Sequence, residues 1–207
     1  MRVKICGLTR DEDAKAAEAL GAWALGFIFY PKSKRYIAPE QASVIISGLK
    51  TPAIGVFVNQ MYAAPAIAQQ TGLRGIQLHG DETPEDCTRI RDEFDGILIK
   101  AFRPITEKDI EGIAPYKGLI DYALLDSGGS GQYGGTGQVF DWNLATKAAS
   151  FGIPLILAGG LSAENIREAD EKVKPFAADL SSSIESAPGI KDKTKLDELF
   201  GILGKTT

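Results

Sequence analysis

Short apolar or β-branched runs alternate along the 207 residues with stretches whose apolar positions recur at helical spacing. The runs predict strands over Arg2–Cys6, Trp23–Phe29, Ala53–Val58, Gly75–Leu78, Gly96–Ala101, Tyr122–Asp126, Pro154–Ala158 and Pro175–Leu180. Helices are predicted over Asp11–Leu20, Pro39–Leu49, Met61–Thr71, Pro84–Asp92, Asp141–Ser150, Ala163–Asp170 and Asp192–Leu203, with at best a short one over Thr106–Ile113. Start signals support several of them. Thr9 ahead of Asp11 and Glu12 suits a helix N-terminus, Pro39 and Pro84 suit first turns, and Ser162-Ala163-Glu164 follows a glycine pair.

Eight strands alternating with helices argue for parallel pairing through right-handed crossovers. Closing eight such units gives a (β/α)₈ TIM barrel, a fold whose lower size limit is about 200 residues. The expected architecture is therefore an α/β chain with one minimal barrel domain over residues 1–207. An open doubly wound sheet is the alternative.

Composition narrows the function classes. The chain is 44% apolar and 24% charged with a formal net charge of −4, which leaves no basic footprint for nucleic acid. No apolar stretch approaches a membrane span and no signal-peptide pattern follows Met1-Arg2. Two cysteines, Cys6 and Cys87, are too few for a disulfide framework, so the expected location is cytoplasmic with both thiols reduced.

Candidate chemistry collects where the predicted strands end, the rim on which barrels of this type carry their sites. The first strand places Lys4 and Cys6 on one face, and Val3 and Ile5 on the other. The fourth leads into Gln77-Leu78-His79-Gly80, and the sixth ends at Asp126. The seventh ends in Ala158-Gly159-Gly160, and the eighth runs through Asp179 into Ser181-Ser182-Ser183. Glycines let backbone amides approach a ligand, serines add hydroxyls, and loops after strands seven and eight form the common phosphate site of the fold. In a closed barrel Cys6 and Asp126 face each other across the mouth.

Competing readings stand beside these. A free thiol, with a pKa near 8.5, is only a few per cent ionised at neutral pH, and buried cysteine is commonly a small hydrophobe. Cys87, within a helical pattern, illustrates that case. Lys4 either activates Cys6 or neutralises an inward carboxylate, and its place one layer below favours the second role. His79, the sole histidine, positions substrate or is a satisfied rim residue; no histidine-cluster metal site is possible. Asp179 suits orienting the phosphate-loop amides better than touching an anion. Arg35, in Pro31-Lys32-Ser33-Lys34-Arg35-Tyr36, offers a bidentate carboxylate grip or belongs to a solvated basic loop. Six glycines within Ser127–Gly137, after the sixth strand, make that stretch a candidate cover over the site.

Taken together, Lys4-Ile5-Cys6-Gly7, Gly26–Tyr30 with Ser33 and Arg35, Gly55–Asn59, Gln77–Gly80, Leu125-Asp126-Ser127, Gly134–Gly137 with Phe140-Asp141-Trp142, Leu157–Leu161 and Gly189 followed by Lys191-Asp192 resemble the phosphoribosylanthranilate isomerases of tryptophan biosynthesis. The resemblance runs along nearly the whole chain. It implies an Amadori rearrangement of a phosphorylated aminosugar, with no metal and no organic cofactor, in a monomer or homodimer. It implies that Asp126 protonates the furanose ring oxygen and Cys6 removes the proton from sugar C2. Arg35 would bind the anthranilate carboxylate, and the loops at Gly159-Gly160 and Ser181–Ser183 would bind the phosphate. A neutral carboxyl beside an available thiolate requires a raised carboxyl pKa, a lowered thiol pKa, or both. Three positions depart from the family pattern: Ser183 stands where glycine is usual, Leu180 where valine is common, and Lys34 where proline is frequent. A histidine-pathway aminosugar isomerase would be expected to carry aspartates at both catalytic positions, which Cys6 opposes. A non-catalytic phosphosugar-binding barrel finds support only in the altered serine loop.

Overall fold

A computed structural model gives the structure of the chain and describes residues 1–127 and 140–204. Eight parallel strands close into one barrel, each hydrogen-bonded to its sequence neighbour and the eighth to the first. They are β1 Arg2–Ile5, β2 Ala24–Ile28, β3 Ala53–Phe57, β4 Gly75–Leu78, β5 Ile97–Phe102, β6 Tyr122–Leu125, β7 Leu155–Leu157 and β8 Ala177–Leu180. The helices α1 Asp11–Ala19, α2 Pro39–Ser47, α3 Ala64–Thr71, α4 Pro84–Glu93, α5 Glu107–Glu111, α6 Trp142–Ala148, α7 Ile166–Val173 and α8 Lys193–Leu203 lie between and after them. A two-stranded hairpin, β9 Glu185–Ala187 and β10 Ile190–Lys191, precedes α8. No helix among the described residues is long and apolar enough to cross a membrane.

Period-two alternation sorts the side chains into two cores. One set faces the barrel interior, where Ala24, Ile54, Ile99, Leu124, Ile156 and Ala177 pack above Trp23, Tyr122 and Phe176. The other, including Val3, Ile5, Leu25 and Phe27, packs outward with the helices. The apolar interior stops below the upper rim, where Lys4, Gln77 and Asp126 are buried instead. A barrel interior is packed rather than hollow, so replacing apolar layers with polar side chains on one side marks that side as the site.

Several expected boundaries move. Helix α7 begins at Ile166, not Ala163, because Ser162–Asn165 form a turn in which the Asn165 side chain accepts from the Ser162 N–H at 2.9 Å and donates to the Gly160 carbonyl at 3.0 Å. Helix α3 begins at Ala64 rather than Met61. Thr9 does not cap α1: Arg10 occupies the cap position, and the Thr9 hydroxyl donates to the Gly189 carbonyl at 2.6 Å. The hairpin β9–β10 has no counterpart in the sequence reading. The expected cover over Ser127–Gly137 lies, from residue 128 onward, outside the described residues.

Candidate active site

One cavity opens at the C-terminal ends of the barrel strands. It is lined by Cys6, Arg35, His79, Asp126, Gly159, Gly160, Asp179, Ser181, Ser182 and Ser183, so every candidate site residue reaches the same space.

On one side stands the thiol. The Cys6 N–H donates to the Leu180 carbonyl at 2.8 Å, carrying the β1–β8 ladder one step past the strand ends. Lys4, one strand repeat below, is the register partner of Asp179, and its Nζ lies 2.8 Å from Asp179 Oδ1. Lys4 thus neutralises an inward carboxylate, and its charge also acts on the Cys6 thiol. Burial opposes the Lys4 charge, but Asp179 and Cys6 outweigh it and hold the ammonium above its ordinary pKa. Burial also pushes the Cys6 thiol up; Lys4 and Lys191 pull it down without cancelling the rise. The net direction is therefore upward, and the site does not lower the thiol pKa. Gly26 makes room for this group, since a Cβ there would stand 2.8 Å from Cys6 Sγ and 3.1 Å from Lys4 Nζ.

On the other side stands the carboxyl. Asp126 follows β6, its N–H donating to the Phe102 carbonyl at 3.0 Å. His79 Nε2 lies 3.4 Å from Asp126 Oδ2, while its Nδ1 receives the Gln77 side-chain amide at 2.8 Å. With the amide nitrogen as donor, Nδ1 is the acceptor and the ring hydrogen sits on Nε2, facing the carboxylate. The sequence reading offered substrate positioning or a satisfied rim role for His79; the structure sets it against the acid. The turn beyond it is tied down. Buried Glu82 accepts from the N–H groups of Asn59 at 2.8 Å and Gly80 at 3.0 Å, and it pairs with Lys100 at 3.1 Å. Lys100 donates to the Gly80 carbonyl at 2.8 Å, and Arg103 to the His79 carbonyl at 3.2 Å.

Between these sides, the loops after β7 and β8 form a polar cradle. Gly159 and Gly160 both adopt positive φ, at 78° and 69°, and a Cβ on Gly159 would stand 2.4 Å from the Ser127 nitrogen. Only glycine fits there. Ser182–Ile184 form a single 3₁₀ turn. The Oγ atoms of Ser181 and Ser183 are buried without a hydrogen-bond partner among the described residues. Buried hydroxyls are nearly always satisfied, so two orphans lining one cavity point to a ligand rich in acceptor oxygens.

Arg35 stands at the rim, and it is not a solvated loop residue. Its Nε and Nη2 fork onto buried Glu185, at 2.9 Å to Oε1 and 2.8 Å to Oε2. The expected carboxylate grip is thus half engaged by the protein's own carboxylate. Glu185 also receives Lys191 Nζ at 2.9 Å. Lys191 in turn donates to the carbonyls of Cys6 at 2.6 Å and Ser181 at 3.3 Å. Sequence reasoning missed Glu82, Lys100 and Glu185 as parts of the site. Gln77 and Lys191 entered it only within quoted stretches, Gln77–Gly80 and the residues after Gly189, with no role given to either.

Comparison with known proteins shows what the chain as a whole is similar to. The model of the family described as N-(5'phosphoribosyl)anthranilate (PRA) isomerase matches residues 3–201. The N-(5'-phosphoribosyl)anthranilate isomerase of Geobacter sulfurreducens is 47% identical over 207 residues, 97% of each chain. The solved phosphoribosyl anthranilate isomerase of Thermotoga maritima superposes with a TM-score of 0.89 at 39% identity, over 98% of both chains. A phosphoribosyl anthranilate isomerase solved in complex with reduced 1-(o-carboxyphenylamino)-1-deoxyribulose 5-phosphate gives a TM-score of 0.85 at 39% identity, covering 97% of this chain and 96% of that one.

Proposed function

Because the chain belongs to the N-(5'-phosphoribosyl)anthranilate isomerase family, we propose that it performs the Amadori rearrangement of that aminosugar with Cys6 as general base and Asp126 as general acid. The observation that carries this reading is the single cavity lined by a buried thiol, a buried carboxyl and two orphaned serine hydroxyls. The phosphate docks against Gly159, Gly160 and Ser181–Ser183, and the anthranilate carboxylate against the outer edge of Arg35.

Asp126 gives its proton to the furanose ring oxygen. The bond between that oxygen and C1 breaks, and the anthranilate nitrogen lone pair forms the C1=N bond of a protonated Schiff base. Cys6 as thiolate takes the proton from C2. The electron pair left behind forms C1=C2, and the C=N π pair returns to nitrogen, giving an enolamine that tautomerises to the ketone. General acid–base steps of this kind contribute roughly 10²–10⁴-fold each. The Nε2–H of His79 faces Asp126 and stabilises the carboxylate left after its proton has gone. Lys4, whose charge acts on the thiol, favours the thiolate in the same way and offsets part of the burial that disfavours it. Asp179 acts through Lys4. A cytoplasmic location accompanies this reading, since the base must persist as a reduced thiol.

The test is turnover. Purified protein given phosphoribosylanthranilate, with a metal chelator present, should abolish the substrate's fluorescence well above its spontaneous decay. Decay at the spontaneous rate would overturn the reading.

A further inference from the structure

The hairpin β9–β10 carries a buried ion pair that the acid–base mechanism does not use. Glu185 and Lys191 are register partners across the hairpin, and both are buried. They sit where three parts of the site converge. Glu185 receives the side-on fork of Arg35 and the Gly189 N–H at 3.2 Å. Lys191 ties the Cys6 carbonyl, at the end of β1, to the Ser181 carbonyl, at the end of β8. Among the described residues, Arg35 Nη1 donates no hydrogen bond, and Arg35 lines the cavity.

We propose that Glu185 and Lys191 are positioning residues that set carboxylate recognition. Glu185 holds Arg35 by one edge so that the other edge is presented to a substrate carboxylate, and Lys191 keeps that arrangement in register with Cys6 and Ser181. An arginine side chain that must be immobilised on binding costs affinity through lost rotamer freedom. The fork on Glu185 removes that cost before the substrate arrives. A carboxylate behind the guanidinium would by itself repel an incoming carboxylate, but Lys191 on Oε1 offsets its charge. The pair therefore contributes geometry with no net charge, and Arg35 retains its own. This inference rests on the proposed function for the identity of the carboxylate.

The test is a charge-neutral double substitution, Glu185→Gln/Lys191→Met, read by calorimetric binding of two probes. One is reduced 1-(o-carboxyphenylamino)-1-deoxyribulose 5-phosphate, and the other is its phenylamino counterpart without the carboxylate. The expected result is a wild-type preference for the first probe that shrinks about tenfold in the double variant, mainly through weaker binding of the carboxylate-bearing probe. An unchanged preference would overturn the proposal, even if both probes bind less well. Should the double variant fail to fold, Glu185→Asp keeps the charge but draws the carboxylate back one methylene. It should reduce the same preference, and an intact preference there would equally overturn the proposal. Wild-type protein that binds both probes with the predicted preference but does not turn over phosphoribosylanthranilate would refute the catalytic reading while leaving this one standing.

Discussion

Lys4 and Asp179 are register partners across the seam that closes the barrel, and their side chains meet at 2.8 Å directly beneath the Cys6 thiol. The seam pairing and the site electrostatics are thus one arrangement. Closing β8 onto β1 in any other register would separate the ammonium from its carboxylate and from the thiol.

Removing the ammonium leaves a buried carboxylate alone. Lys4→Met should lower unfolding stability by roughly 3–5 kcal/mol, the range for breaking a buried pair from one side. Lys4→Met/Asp179→Asn should regain more than half of that loss. Denaturant unfolding of the two variants decides the matter, and a single variant within about 1 kcal/mol of wild type contradicts the pairing.

The Cys6 thiol should behave as a weak acid in the free protein. Burial holds its pKa above the ordinary value, so the thiolate fraction keeps growing as pH rises through about 8.5 and beyond. Iodoacetamide labelling at Cys6, followed by peptide mass spectrometry, should accelerate across that whole range. Lys4→Met should slow it further at a given pH, since the one change removes the nearest stabilising charge. A labelling rate that levels off below pH 8 would mean that the site lowers the thiol pKa.

Most of the barrel was legible because its strands are short apolar runs separated by helical periods. The strand ends could be read as a rim before any contact was known. Gly159-Gly160 and Ser181–Ser183 were readable for the same reason: they fall directly after strands seven and eight. The supporting charges were not. Glu185, Lys191, Glu82 and Lys100 read locally as surface charge, and nothing in a linear pattern says that each finds its partner or that both are buried. Arg35 shows the same limit, since its true partner is 150 residues away. The late start of α7 was hidden because Ser162 and Asn165 form a turn through a side-chain bond, while Ala163-Glu164 look helical in composition.

Ser183 departs from the resemblance and yet is built into the cradle, with its Oγ buried and orphaned. A hydrogen bond to a charged phosphate contributes about 1.5–3 kcal/mol. Ser183→Ala should therefore raise KM about tenfold or more while kcat changes little. Steady-state kinetics measure both, and an unchanged KM would mean that the hydroxyl never meets the phosphate.

The central claim is that one thiol and one carboxyl, facing each other across this cavity, move the two protons of the rearrangement. The direct measurement is kcat with phosphoribosylanthranilate for Cys6→Ala and Asp126→Asn, each checked for retained binding of the reduced product analogue. Each variant should bind the analogue and lose roughly 10²–10⁴-fold in kcat. Near wild-type turnover in either one would contradict the role assigned to that residue.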